Sequence, residues 1–554
     1  MDRDGLNFEL ANLLEEDEVK GPVEDESKRS LESGFDESDL LHTKYGEAIS
    51  NSALRQIYRP VTSYEGLHRY DSDFKWSKDE GKKVVRKIDW RICSWMCLMF
   101  LALQVDRGNI MQPRSDDVLE SLGLTADQYK TGQPIYFGAL VLAELPSQLI
   151  AKRLGANVWL PVQMICWSLV ASIQSGMHGP NTFWTTRALI GVFEAGFVPS
   201  SVLYLSNFYT STELPIRLSW LWVAYPMAKI VSALMAYTLA HISGLYNIPG
   251  WRWLIGLEGA LTCLIGCISY LYLPPSPTQT ASPFRSPCEE GWFTAKEEKI
   301  IINRILRDDP SKGSTHNREP LTFHQLRHAL GDYHMYPLYL LGLTWQMPMI
   351  PIGNWMSSTL HMLALDPLTT NLLTLPSYAI WILNLLVFTS ISEWLNERLL
   401  LSTVSQIWVL PLLIALDSLV QDREAWQTWG PVMVLYAQPF VHAILLGLAS
   451  RNAGSVQTRT VAVAVYDMCF QASNLISLNI YRREDAPYYF RGNKILLCVA
   501  AWNIVLFVAT KSFYTFYNRR RERIWGGMSS ERQGEYLATT KDEGNKRLDF
   551  RFTH

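Results

Sequence analysis

Twelve stretches of roughly 20 mostly apolar residues each limit what this chain can fold into. They lie near 91–111, 133–151, 157–177, 184–204, 218–240, 253–273, 334–356, 370–391, 402–420, 429–449, 459–480 and 493–515. A helix of that length crosses a hydrocarbon core of about 30 Å. Runs such as "ICSWMCLMFLAL", "LYLLGLTWQMPMI" and "LLVFTSISEW" are almost free of charge, whereas the first, seventh and eleventh segments are interrupted by polar residues. A soluble chain of 554 residues with 48% hydrophobic content would distribute its charges along its length, yet here they gather in the two ends and one central stretch. Twenty Trp and twenty-five Tyr, many at helix ends, suit an interfacial aromatic belt. The expected fold is all-α: a polytopic membrane protein with twelve transmembrane helices in two six-helix bundles.

The charge distribution gives the domain plan. Residues 1–87 read as a largely disordered cytoplasmic tail, acidic and polar, without the apolar core of a signal peptide. Within it, the stretch from Asp36 to Leu41 has the pattern of an acidic dileucine sorting address. Residues 88–273 form the first bundle, 274–333 a cytoplasmic linker, 334–517 the second bundle and 518–554 a second cytoplasmic tail. In the linker, "TAKEEKIIINRILRDD" opens with a threonine cap and early glutamates, then spaces Ile and Leu as an amphipathic helix does. Basic runs before the first span ("KWSKDEGKKVVRKIDWR") and after the twelfth ("YNRRRERIW") place both termini on the cytoplasmic side. The basic loop "YRREDAPYYFRGNK", which must then face outward, runs against that rule.

Six spans, a long linker and six more spans is the layout of a carrier with two related halves. The turns "AKRLGANVWL" and "EWLNERLLLS" place charge at corresponding points of each half. No nucleophile–base set, phosphate-cradling glycine loop or nucleic-acid-binding pattern accompanies the spans, so an enzyme is not expected. The eight cysteines are scattered without CxxC or Cys/His spacing, which gives packing residues and no metal site or cofactor.

Chemistry is carried by charges kept inside the spans, each of which costs at least a few kcal/mol unless it is paired or faces a cavity. In "FWTTRALIGVFEAGFVPSS" Arg187 and Glu194 lie on one helical face, about 10 Å apart along the axis. Gly191 between them leaves room for a ligand or another helix, and with Ala195 makes a small-xxx-small pair. The first span ends "LALQVDRGNIMQ", placing Asp106 and Arg107 at similar depth. Either an anion sits among these groups or they form a structural ion pair. Lys229, one turn after Tyr225 in the fifth span, reads as a second anion contact or as a partner of Glu144 or Glu194. Asp467, Gln471 and Asn474 form a polar stripe on the eleventh span, lining a water-filled path or bonding between helices. Glu144 and Glu258, nearer span ends, suit gating or packing.

The motifs "RALIGVFEAGFVP", "GWRWLIGLEG", "DRGN", "ELPSQLIAKRLG" and "YRREDAPYYFRGN" resemble those of the fungal allantoate permease family, anion:cation symporters of the major facilitator superfamily. The resemblance spans roughly 85–520, and "FYTSTELPIRLSWLW" and "WFTAKEEKIIINRILRDDPSKG" look like the pantothenate, biotin and sulfoxide-resistance subgroup. It implies the major facilitator fold and proton-coupled symport by alternating access. The cargo would be a small organic anion such as pantothenate, biotin, nicotinate or allantoate. It further implies Glu194 and Asp106 as proton carriers, and Arg187 and Arg107 as substrate or coupling residues. Gln104, Lys229 and Asp467 depart from the family's usual residues and point to a different substrate. A proton-driven exporter and a non-transporting nutrient sensor are the alternatives. The expected partners are the anion, the proton and the bilayer, with no nucleic acid and a monomeric state. The plasma membrane is the expected location, with the vacuolar or endosomal membrane second.

Overall fold

The computed structural model describes residues 59–110, 119, 121–240, 249–282, 291–313, 321–353, 367–419, 425–485, 489–540, 542 and 544–554. The dileucine pattern and the rest of residues 1–58 lie outside them.

The fold is helical, with its spans arranged as two bundles. Eight helices among the described residues are long and apolar enough to cross a membrane by length and composition. The other four segments explain themselves. The fifth span (Leu214–Ala240) contains Arg217 and Lys229, the seventh and tenth are interrupted, and the eleventh (Val456–Ser477) carries its polar stripe.

In the first half the first span packs on the fifth, the second (Ala126–Leu154) on the fourth, and the third (Ala156–Gln174) on the sixth (Gly250–Tyr272). Met96, Met99, Phe100, Leu103, Met164, Trp167 and Phe197 form the core between them. In the second half the ninth span (Leu399–Leu419) packs on the twelfth (Phe490–Gly526). The halves meet where the second span crosses the eleventh, and where the fifth crosses the eighth (Pro367–Trp394) and the tenth.

Two spans read as continuous helices in the sequence are broken. The fourth runs Gly179–Glu194 and resumes at Phe197–Ser206, because Gly196 adopts φ +79°. An added Cβ there would stand 2.6 Å from Ser147 Oγ, so only glycine fits the break. A break in a span exposes backbone polar groups, each costing several kcal/mol in an apolar medium. Three side chains satisfy them. Gln163 donates to the carbonyls of Phe193 (3.1 Å) and Ala195 (2.6 Å), Gln148 donates to Gly196 O (2.6 Å), and Glu144 accepts from Gly196 N–H (2.9 Å). The tenth span breaks between Ala425–Tyr436 and His442–Asn452, where Asn384 donates to Ala437 O at 2.6 Å. The helix of the seventh span ends at Thr344, and Gln406 and Asn503 take up the carbonyls of Trp345 (3.0 Å) and Thr344 (2.9 Å). Ala195 therefore lies in the break, and the expected small-residue helical pair with Gly191 does not exist. Gly191 itself meets a helix, since a Cβ on it would stand 2.5 Å from the carbonyl oxygen of Tyr136 in the second span.

The face that carries the linker is braced by charge. Residues 59–77 and the helix Lys78–Ile88 are ordered against the linker helix Ala295–Asp308, which corrects the disordered reading of this part of the tail. Arg69 pairs with Glu298 (2.8 Å), Lys87 with Glu297 (2.8 Å), and Lys296 with Glu80. Asn303 accepts from Asp71 N–H at 2.9 Å and donates to Arg69 O at 3.1 Å. Arg304 reaches Glu213 after the fourth span at 2.7 Å, and Asp308 accepts from Ser211 N–H at 2.7 Å. The helix buries Ile300, Ile301, Ile302, Ile305 and Leu306, as its spacing implies. The last residues, 544–554, also dock: Asn452 and Asn518 each exchange hydrogen bonds with the backbone of Thr553 and Phe552, and Phe550 and Phe552 are buried.

Candidate substrate and proton site

The break in the fourth span positions a cluster of buried charge. Glu194 is the last helical residue before it, which turns its carboxylate toward the first and second spans. Arg107 Nε donates to Glu194 Oε2 at 2.6 Å, and the Tyr136 hydroxyl donates to the same oxygen at 2.5 Å. Arg187 is buried one face-repeat earlier, its guanidinium 5.4 Å from the Phe183 ring centroid. Glu194 thus pairs with an arginine of another span rather than with the one in its own helix.

Lys229 of the fifth span lies beside Gly108 of the first, where an added Cβ would stand at ordinary contact distance, 3.7 Å, from its Nζ. The ammonium stands 5.7 Å from the Tyr225 ring centroid. The Tyr225 hydroxyl is turned the other way, in hydrogen-bond contact with Tyr436 of the tenth span, which also contacts Tyr378.

Asp106 faces away from its neighbour. Its carboxylate accepts from Trp167 Nε1 at 3.0 Å and Thr262 Oγ1 at 3.2 Å, and Glu258 is buried within electrostatic reach of it. These two acids lie inside the first half, and the Glu194 carboxylate is also within electrostatic reach of Asp106. Glu258, on the sixth span, is buried inside the first bundle.

On the eleventh span Asp467 and Gln471 are buried, and the stripe bonds along itself: Gln471 Nε2 donates to Asp467 Oδ2 at 3.5 Å, and Asn474 Nδ2 to Gln471 Oε1 at 3.4 Å. Glu144 faces this stripe from the second span, at the boundary of the halves. The structure thus brings together Arg107, Arg187 and Glu194, places Lys229 beside Gly108 of the first span, and pairs Glu144 with Asp467 within electrostatic reach of Arg107.

Several residues had no signal in the sequence. Tyr136, Trp167 and Thr262 look like ordinary span residues until their partners are known. His442 lies at the break of the tenth span, fully buried among Trp222, Phe440, Tyr466 and Phe470. A lone histidine on an apolar stretch reads as core.

A cavity of about 70 Å³ opens on the linker face, away from the buried charges. Gln148, Lys152, Asn157 and Ser200 line it from the first half, and Arg459 and Thr460 from the second. Arg459 pairs with Asp309 of the linker, and Lys312 donates to Ser206 O (2.7 Å) and Tyr209 O (3.2 Å). The cavity is lined by both bundles and by the linker residue Lys312, with Lys152, Lys312 and Arg459 among its charged groups.

A pair of linked bundles with broken helices and charged side chains buried within and between them is the architecture of a membrane transporter rather than of an enzyme. The comparisons give the family. The model of the Major Facilitator Superfamily matches residues 96–478, and the chain belongs to that superfamily as a multi-pass membrane protein. It is 38% identical over 529 residues to the uncharacterized transporter YIL166C of Saccharomyces cerevisiae, covering 95% of this chain and 97% of the relative. It is 25% identical over 451 residues to the MFS-type transporter efuF of Hormonema carpetanum, covering 80% of this chain and 87% of that one. Among solved structures it is similar to the proton:xylose symporter XylE bound to 6-bromo-6-deoxy-D-glucose, with a TM-score of 0.56 at 13% identity over 78% of this chain and 96% of that one.

Proposed function

We propose that the protein carries a small organic anion across the membrane together with a proton, by alternating access, with both termini in the cytoplasm. The observation that carries this reading is the buried Arg107–Glu194 pair at the break of the fourth span, with Arg187 buried earlier on Glu194's own helix. A carboxylate cargo entering that region competes with Glu194 for the Arg107 guanidinium. Protonation of Glu194 would release Arg107 toward the cargo, and this exchange links the two ligands. Tyr136, bonded to the same oxygen, holds the carboxylate in place while it is ionised. The vitamin and ureide carboxylates of the resembled family, among them pantothenate, biotin, nicotinate and allantoate, define the cargo class. The basic flanks of the first and twelfth spans support cytoplasmic termini, and the plasma membrane is the location that fits uptake.

The test is uptake of radiolabelled vitamins, ureides and small carboxylates by yeast lacking its own carriers, at two external pH values, with wild type and Glu194→Gln. Accumulation of an anion that rises at acidic external pH, and loses that rise in Glu194→Gln, is expected. A neutral cargo, or a variant that concentrates the anion like wild type, sinks the reading.

A further inference from the structure

Apart from the Arg107–Glu194 pair, two carboxyl groups meet where the halves touch. Glu144 of the second span is 0% exposed and Asp467 of the eleventh 2%, and their side chains stand within hydrogen-bond range of each other. Glu144 Oε2 is occupied by Gly196 N–H at 2.9 Å, and Asp467 Oδ2 by Gln471 Nε2 at 3.5 Å. The remaining oxygens, Glu144 Oε1 and Asp467 Oδ1, receive no N–H or O–H donor among the described residues. Ionised carboxylates only accept hydrogen bonds, and two of them buried side by side repel. A proton between the two oxygens resolves both problems.

A third group points at the same place. His442 of the tenth span is 0% exposed, and its Nε2 lies 3.9 Å from Asp467 Oδ1. Neither of its ring nitrogens has a hydrogen-bond partner among the described residues. It is enclosed by the rings of Phe470 (4.2 Å), Trp222 (4.6 Å) and Tyr466 (5.6 Å) between centroids. Arg107 of the first span acts electrostatically on both acids, and Gly196 of the fourth and Gln471 of the eleventh contribute the hydrogen bonds already named.

We propose that Glu144 and Asp467 form a proton-binding site built from both halves, holding one shared proton while the halves are in contact, with the ring of His442 packed beside Asp467. The closed pair carries one proton and one negative charge. When it parts, the proton stays on one of the two acids. Loss of the proton to water leaves two facing carboxylates that push the halves apart. This ties proton occupancy to the contact between the bundles, whatever the cargo. It deepens the symport reading and rests on it for its part in coupling, while the shared proton itself stands on the geometry alone.

Infrared spectroscopy of the full-length protein in lipid nanodiscs tests it without a substrate. At neutral pH the wild type should show a buried protonated-carboxyl C=O band that shifts in D₂O. Glu144→Gln and Asp467→Asn should each remove one carboxyl's worth of that band, since the introduced amide donates to the carboxylate that remains. Glu194→Gln should leave this component in place. If either substitution fails to give monodisperse protein, the other supplies the same readout. A wild type without a D₂O-sensitive carboxyl band, or both variants retaining its full intensity, overturns the proposal. Uptake that ignores external pH while the band behaves as stated overturns the symport reading instead.

Discussion

Arg107 Nε lies 2.6 Å from Glu194 Oε2, so the first and fourth spans are tied by a charge pair at the point where the fourth span breaks. The glutamate side chain is 1% exposed and the arginine 15%, so the carboxylate is buried and the guanidinium only partly exposed. Removing one member of such a pair strands the other.

Arg107→Ala should therefore cost about 3–5 kcal/mol of stability and abolish uptake. Arg107→Met combined with Glu194→Gln should recover most of the stability and none of the coupled uptake. Thermal unfolding in detergent beside vesicle uptake measures both. A double variant as unstable as Arg107→Ala would show that the charges do not act on each other.

Gly196→Ala should destabilise by at least about 2 kcal/mol, from the left-handed backbone and the crowding against Ser147 together. Its effect should exceed that of Gly138→Ala in the second span, where an added Cβ meets nothing within 4 Å. Melting temperatures of the two variants decide the point. Equal shifts would mean that the fourth span tolerates an unbroken helix.

The Arg459–Asp309 pair ties the eleventh span to the linker, and Arg459 lines the cavity on the linker face. Asp309→Asn should loosen that tie by about 1 kcal/mol, which is roughly a fivefold rise in the open population. A cysteine placed at Thr460, on the cavity wall, should then react with a maleimide several-fold faster than in the Asp309 background. An unchanged rate would show that the closure is held elsewhere.

Burial lowers the Lys312 ammonium from its ordinary 10.5 to about 8, helped by Arg459 and opposed by Asp309 and Asp308. Between those two values the unfolded chain keeps a proton that the folded chain has released, so stability rises with pH across that window. Below about 8 both states carry the proton and the full penalty, roughly 3 kcal/mol, stands. Lys312→Met lacks this dependence. The gap in melting temperature between wild type and variant should move in favour of the wild type from pH 8 to 10.5. A constant gap would contradict the burial argument.

The spans themselves were legible because the hydrocarbon core imposes one length and one composition on every segment that crosses it. Arg187, Glu194, Arg107 and Lys229 stood out for the same reason: charge in an apolar run is conspicuous. Their pairing was not legible. The sequence places Arg187 and Glu194 on one face of one helix, but Gly196 ends that helix, and Arg107 arrives from the first span at 2.6 Å. Helical periodicity carries no information about which span lies opposite. His442 and Tyr136 stayed hidden because their roles come from partners distant in the chain. The N-terminal arm was misread for a related reason: its charges look like a solvated tail until the linker helix presents Glu297, Glu298 and Lys296 to them.

The linker helix is fastened to the N-terminal arm through Arg69 and Lys87 and to the first bundle through Glu213 and Ser211, whereas Asp309, just past its end, touches Arg459 of the second bundle. When the bundles swing, the helix and the N-terminal arm must travel as cargo of the first, and the latch at Asp309 is what gives way. A fluorophore on the exposed side of that helix would report the position of one half alone, and a second dye on the face of the twelfth span would turn the molecule into its own ruler for the rocking motion.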